Sequence, residues 1–369
     1  MRICFLLGGF SNYGGIGRAT AVLASHLSAD PELEIFALCL YRPESRSGYD
    51  IAPAVHVDYL FEAPLTIKRA FLRGGLRKLT SYILKNRIDI LIACGTLYYP
   101  MAVMAGRRTG ARSILWEHTH PNSRNDHFLQ DESRAYGARR SDCNVVIAAR
   151  ALEIYRARFP RARNRLIHNP LDPAAGCRLT PYGEEHKRIL SVGRLSYPKN
   201  YDRLIRLAGP VLAGHDDWRW DIYGEGELRA ELEEAIRREN LEGRVCLMGQ
   251  CDRVYEVYRN YDFLVMTSRL EGFPMVLLEA SANLLPLLAF DVETGPSEVI
   301  RDGENGYLVP ASDDEGMIRA IRTLMENPAL RSAFSAESGR TAADFSVERI
   351  GREWKALFEE LVAGKGEHA

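Results

Sequence analysis

Short, uniformly apolar runs alternate along this chain with longer stretches of helical period. In the first half, residues 2–7, 34–40, 55–60, 89–94, 112–116, 144–148 and 165–167 predict strands, with helical patterns over 16–27 and 65–86 between them. Strands that are apolar throughout and separated by helices indicate βαβ units and a parallel sheet. The pattern restarts after a polar stretch. Residues 188–192, 219–223, 244–248, 262–266 and 287–290 predict strands, and 202–212, 227–239 and 275–283 predict helices. Two prolines, Pro170 and Pro173, stand at the head of the polar stretch and argue against a helix there. The expectation is an α/β chain of two doubly wound, Rossmann-like parallel-sheet domains facing across a cleft. They cover residues 1–170 and 188–345, joined by a linker over 171–187. A last amphipathic helix over 346–363, carrying Ile350, Trp354, Leu357, Phe358 and Leu361, is expected to cross back to the first domain.

Composition changes this picture little. At 369 residues, 46% hydrophobic and 26% charged, the chain reads as ordinary globular protein, and collagen-like, coiled-coil and disordered classes drop out. No apolar run approaches about 18 residues, so no membrane-spanning helix is expected. The opening run over 2–7 is too short for a signal-peptide core. Seven cysteines, an odd number with no C-x-x-C pair, predict a reduced, cytoplasmic chain. Charge is more informative when divided. Residues 1–175 carry 24 Lys and Arg against 15 Asp and Glu, while the remainder carries 24 against 34. The segment 65–87 holds Lys68, Arg69, Arg73, Arg77, Lys78, Lys85 and Arg87 with no acidic residue, interleaved with apolar positions. Residues 139–165 add eight arginines. A basic amphipathic helix suits an anionic membrane surface. Nucleic acid is not expected, because no stacking platform or recognition motif accompanies the charge.

Candidate chemistry lies where strands end, as it does in doubly wound sheets. The first strand runs into Gly8-Gly9 and then Asn12-Tyr13-Gly14-Gly15-Ile16-Gly17, a loop through which backbone N–H groups can approach an anion. His118 and His120 follow an apolar strand in Trp116-Glu117-His118-Thr119-His120. In the second half, Gly193-Arg194-Leu195 leads to Lys199, two cations five residues apart that suit a diphosphate. Gly224-Glu225-Gly226 follows another strand. The run Glu271-Gly272-Phe273-Pro274-Met275-Val276 ends at Glu279, so two glutamates bracket a helix start at Pro274. The N–H groups of Met275 and Val276 should point out of that helix end.

These motifs, in this order, resemble the retaining glycosyltransferases of family 4, which have the GT-B fold and include enzymes of bacterial cell-surface polysaccharide synthesis. Thr294-Gly295-Pro296-Ser297-Glu298 and the Asp302-Gly303 turn with Asn305-Gly306 extend the match. The resemblance implies a hexosyltransferase that uses a nucleotide-sugar, with UDP favoured over GDP. It implies that Arg194 and Lys199 hold the diphosphate, Glu279 the ribose, and Glu271 the donor sugar. Phe273 lies within that donor motif. Met275 and Val276 match backbone donors to phosphate, Gly249 and Gln250 the base-reading loop, and Gly15 the glycine loop. His118 matches the histidine beside the donor sugar, with His120 its rival. Pro296 stands where the family often has a glycine, so it offers no N–H there. No D-x-D motif occurs in the sequence, and neither metal nor cofactor is expected. The acceptor is expected to be a glycolipid or oligosaccharide, met at the inner face of the cell membrane. The alternatives are a nucleotide-sugar epimerase or hydrolase, and a catalytically silent scaffold subunit.

Overall fold

The computed structural model describes all residues except 11–13, 43–47, 123–128, 177–185, 252–253 and 364–369. The chain divides into two compact units, Met1–Asp172 with Ser346–Ala369, and Pro173–Phe345. In the first, strands β1 (Arg2–Leu7), β2 (Glu34–Tyr41), β3 (His56–Phe61), β4 (Ile90–Cys94), β5 (Arg112–Glu117), β6 (Cys143–Val146) and β7 (Asn164–Leu166) form one sheet. Their order is β3-β2-β1-β4-β5-β6-β7, with every neighbouring pair parallel. The runs Ile3–Leu7 and Ile90–Cys94 are buried along their whole length, as a sheet covered on both faces requires.

The helix Val347–Ala363 belongs to this unit. Trp354 is fully buried with its ring centroid 5.0 Å from that of Trp116. Lys355 Nζ lies 2.7 Å from both Asp30 and Glu32 carboxylates, and Arg112 Nε donates to Leu361 O at 3.2 Å.

In the second unit, β8 (Arg188–Val192), β9 (Arg219–Tyr223), β10 (Val245–Gly249), β11 (Phe263–Met266), β12 (Leu287–Asp291) and β13 (Gly306–Pro310) take the order β10-β9-β8-β11-β12-β13, again parallel throughout. Its core includes Ile189, Leu204, Trp220, Phe263, Leu288 and Ile321. Strand order therefore reverses between β1 and β4 in one sheet and between β8 and β11 in the other, the positions where such sheets bind ligands.

Two expectations need correction. The continuous helical pattern over 65–86 is broken into Ile67–Leu72 and Gly75–Asn86. Gly74 takes φ 79° between them, and a Cβ on Gly75 would stand 2.7 Å from Ala70 O. Adjacent glycines there permit a left-handed turn that other residues resist. The apolar face of this segment is also committed to its own unit. Leu79 and Ile83 are buried, and Ile67, Phe71, Leu76 and Tyr82 pack against the same core, leaving Leu84 exposed. The polar linker falls largely on residues 177–185, outside the described ones.

Candidate functional site

In the second unit, the loops after β8, β9 and β10 are knitted by backbone bonds. Gly193 N donates to Tyr223 O at 2.9 Å, Leu195 N to Glu225 O at 3.0 Å, and Gly224 N to Gly249 O at 2.9 Å. A Cβ on Gly224 would sit 1.9 Å from Gly193 O, and one on Gly226 would sit 2.2 Å from Leu195 O. The Gly-Glu-Gly turn is thus required by close backbone approach, which holds the Arg194 loop in place.

At the switch point between β8 and β11, Lys199 Nζ lies 2.6 Å from Glu271 Oε1, which also accepts from Ser268 Oγ at 2.6 Å. Glu271 is 8% exposed. Its carbonyl accepts from the Thr294 hydroxyl, and Gly295 (φ 102°) packs where a Cβ would meet Pro274 Cδ at 2.8 Å. Arg194 does not share this partner. It is largely exposed and pairs with Glu227 at 3.1 Å. Glu279, one turn into the helix Met275–Ala282, is buried and accepts from Tyr258 OH at 2.8 Å.

Four residues expected at the donor fare differently. Met275 N is turned back on Phe273 O at 3.1 Å, so one of the two backbone donors assigned to this helix start is engaged within the turn. The Phe273 side chain is buried against Phe345, with ring centroids 5.6 Å apart, which is a packing role. Val276 is partly exposed, and Gln250 is exposed beside Gly249. Ser268 and Tyr258, which bond the two glutamates, carried no motif of their own, whereas Thr294 opens the Thr294-Gly295-Pro296 run already noted in the sequence.

In the first unit, a cavity of about 500 Å³ opens at the switch point between β1 and β4. Gly8, Gly9, Gly14, Gly15 and Gly17 line it, with Tyr41, Tyr98, Thr96, Thr119 and Gln130. The helix expected over 16–27 runs Gly15–Leu27, so Gly15 is its first residue, while Asn12 and Tyr13 lie outside the described residues. Tyr49 OH clamps the loop, accepting from Gly14 N at 2.5 Å and donating to Gly14 O at 2.9 Å. His118 follows β5 with its ring 4.3 Å from the Trp116 ring. Both its nitrogens are buried without a hydrogen-bond partner. Burial pushes its pKa down to about 3, so the imidazole is neutral at pH 7. His120 is also buried, but its Nδ1 accepts from Asn122 N at 3.0 Å. Among the described residues, no group of three or more His, Cys, Asp or Glu side chains is placed to hold a metal ion. Cys177 lies outside the described residues, and the six described cysteines are free thiols.

Two family models divide the chain between them. "Glycosyltransferase Family 4" matches residues 13–175, and "Glycosyl transferases group 1" matches residues 180–340. The chain belongs to these glycosyltransferase families. The amylovoran biosynthesis glycosyltransferase AmsD of Erwinia amylovora is 36% identical over 176 residues, 48% of this chain and 49% of AmsD. The match thus spans about half that relative's length. A Campylobacter jejuni N-acetylgalactosaminyltransferase, named for an undecaprenol-linked glycan, is 23% identical over 98% of this chain and 99% of its own. Staphylococcus aureus TarM, solved with UDP, superposes at a TM-score of 0.81 over 97% of this chain and 99% of its own, at 16% identity. Anabaena HepE, solved with UDP-glucose, gives 0.75 over 99% and 100%, at 15% identity. At these identities the likeness establishes the GT-B fold of this family member and nothing finer.

Proposed function

We propose that the chain transfers a hexose from a UDP-sugar to a hydroxyl of a lipid-linked or oligosaccharide acceptor, with retention of anomeric configuration and without a metal. The observation that carries this reading is the cluster of Lys199, Glu271 and Ser268 at the β8/β11 switch point, with buried Glu279 one turn into the following helix. The difficult step is departure of a nucleoside diphosphate from the anomeric carbon, where negative charge grows on the phosphate. Lys199 and Arg194 supply cations there, and the start of the helix Met275–Ala282, with Val276 in its first turn, adds its dipole. The acceptor oxygen bonds to the anomeric carbon as the carbon–phosphate oxygen bond breaks. The acceptor proton passes to the departing phosphate oxygen. Glu271 then faces the donor sugar, and Glu279, held by Tyr258, takes the ribose hydroxyls. His118, neutral and with both nitrogens unpartnered, can hydrogen-bond a sugar hydroxyl without adding charge. Gly249 and Gln250 form the base-side edge.

The nucleotides named in the TarM and HepE structures, and the undecaprenol carrier named for the Campylobacter relative, support this choice of donor and acceptor. Attachment to the inner membrane face rests on exposed Lys68, Arg69, Arg73, Arg77, Lys78, Lys85 and Arg87. An apolar cavity of about 410 Å³ beside them, lined by Ile67, Phe71, Pro100 and Tyr136, shares Leu97 with the glycine-lined cavity. Among the described residues, no helix is long and apolar enough to cross a membrane.

The deciding experiment is a thermal-shift comparison of UDP, GDP, ADP and their sugars. UDP at 100 times its Kd should stabilise the protein by about 2.7 kcal/mol. Lys199→Ala should abolish most of that shift and slow transfer about 10²–10³-fold. Equal shifts from all three nucleotides, or an unchanged UDP shift in Lys199→Ala, would refute the donor assignment.

A further inference from the structure

Glu117 lies at the end of β5, 1% exposed, beneath the glycine-lined cavity. Its Oε1 accepts from Thr96 Oγ1 at 3.2 Å, Thr119 N at 3.2 Å and Thr119 Oγ1 at 2.5 Å. Its Oε2 accepts from Arg134 Nε at 2.8 Å and Tyr155 OH at 2.6 Å. Arg134 is fully buried. It donates onward to Asp131 Oδ1 at 2.9 Å and to Thr119 Oγ1 at 3.2 Å. Burial alone would raise the Glu117 pKa, but Arg134 and the hydroxyl donors outweigh it and hold the carboxyl below its usual range.

An ionised carboxylate only accepts hydrogen bonds. Both threonine hydroxyl protons are therefore turned down onto Glu117, and lone pairs are what these hydroxyls have left to offer. Thr96 and Thr119 both line the cavity. Gln130 lines it too, 7% exposed, and its Oε1 is buried with no hydrogen-bond partner. The three side chains give this wall an accepting character. Hydroxyls of a neutral sugar ring can donate to such a wall, whereas a phosphate or carboxylate cannot.

We propose that this cavity holds a neutral pyranose of the acceptor by its donating hydroxyls, and that Glu117 is the positioning residue that gives Thr96 and Thr119 their accepting direction. The proposal rests on reading the chain as a sugar transferase and deepens it by naming the chemistry of the acceptor. Glu117→Gln keeps the shape and reverses the direction. Arg134 and Tyr155 hold the amide oxygen at the Oε2 position, so the NH₂ group donates to the two threonine hydroxyls and turns their protons toward the cavity, while the Thr119 N–H loses its acceptor.

The test is calorimetric or saturation-transfer binding of methyl glycosides of glucose, galactose, N-acetylglucosamine and N-acetylgalactosamine in the presence of UDP. Their monodeoxyfluoro and 6-phosphate derivatives are the controls. At least one methyl glycoside should bind the wild type, with its 6-phosphate at least about tenfold weaker. Fluorine, which accepts but cannot donate, should weaken binding about tenfold at one or two ring positions. In Glu117→Gln the parent glycoside should bind about tenfold more weakly, and the penalty for fluorine should fall to within about twofold. A purely structural role for Glu117 would not move that ratio. Thr96→Val leaves the Glu117–Arg134 pair intact and should lose affinity for the same glycoside, which keeps the test open if Glu117→Gln fails to fold. Absence of glycoside binding overturns the proposal, as does an unchanged fluorine penalty in Glu117→Gln or wild-type affinity in Thr96→Val. Glycoside binding without UDP binding would instead overturn the donor assignment and leave the cavity's chemistry standing.

Discussion

The sharpest stability prediction concerns His118. Its pKa is lowered from 6.5 to about 3 because its imidazole is desolvated, a cost that the neighbouring Glu117 carboxylate offsets only in part. The unfolded chain takes up a proton near pH 6.5, while the folded chain resists until about pH 3. Stability from this group is therefore intact above pH 6.5 and drains away as pH falls toward 3. At pH 5 the proton-binding mismatch is 1.5 pH units below the unfolded value. At about 1.36 kcal/mol per unit, that is a loss of about 2 kcal/mol. His118→Gln removes the titrating group while keeping a polar side chain. Its absolute stability will differ from wild type at pH 7, so the quantity to read is the change between pH 7 and pH 5 in each protein. By urea unfolding, wild type should lose about 2 kcal/mol more than the variant over that interval. Other histidines contribute equally to both proteins and cancel. Parallel pH profiles would show that the imidazole takes a proton in the folded state without cost, and the argument from burial would fail.

Two further outcomes follow from the geometry. Tyr258→Phe removes the hydroxyl that donates to buried Glu279, and because hydrogen bonds to charged groups are worth about 1.5–3 kcal/mol, UDP should bind at least about tenfold more weakly by calorimetry with the fold intact. In liposome flotation at low salt the protein should float with anionic but not neutral vesicles, and lose binding as salt rises; equal recovery with both would remove the membrane assignment.

The two sheets were legible because buried parallel strands leave short, continuous apolar runs. The expectation over 188–192 matches β8, and that over 2–7 matches β1. β13 escaped because Gly306-Tyr-Leu-Val-Pro310 is short and ends in proline. It is an edge strand, where proline is tolerated. The helices Asp314–Glu326 and Pro328–Ala343 did carry a signal. Asp313 accepts from Gly316 N at 2.7 Å and Asn327 from Leu330 N at 3.0 Å, both ordinary N-caps. Site residues divide the same way. Glu271, Glu279 and Lys199 announced themselves by spacing and Thr294 by its motif, but the contacts of Tyr258 with Glu279 and of Thr294 with Glu271 span 21 and 23 positions, which spacing does not encode. The basic surface was overcounted. Of the eight arginines over 139–165, Arg163 and Arg165 both pair with Glu360, and Arg158 lies 3.6 Å from Asp131. A charge run reads as free in sequence because its partners are distant.

The Lys199–Glu271 pair gives the proposed donor site a resting state. Each side chain is partly or wholly removed from water, and either one left alone there would bear an uncompensated charge. Paired with each other, they let the unit fold without a ligand. On the proposed reading, an arriving diphosphate offers Lys199 a second anion, and Glu271 retains the Ser268 hydroxyl as it turns toward the donor sugar. Arg194, more exposed and paired with Glu227 near the surface, gives up little to join the diphosphate. The two cations thus differ in kind. Arg194 is suited to first capture, because its exposed ion pair is weak. Lys199 is suited to the bond-breaking step, because its partial burial strengthens its field where the leaving charge develops.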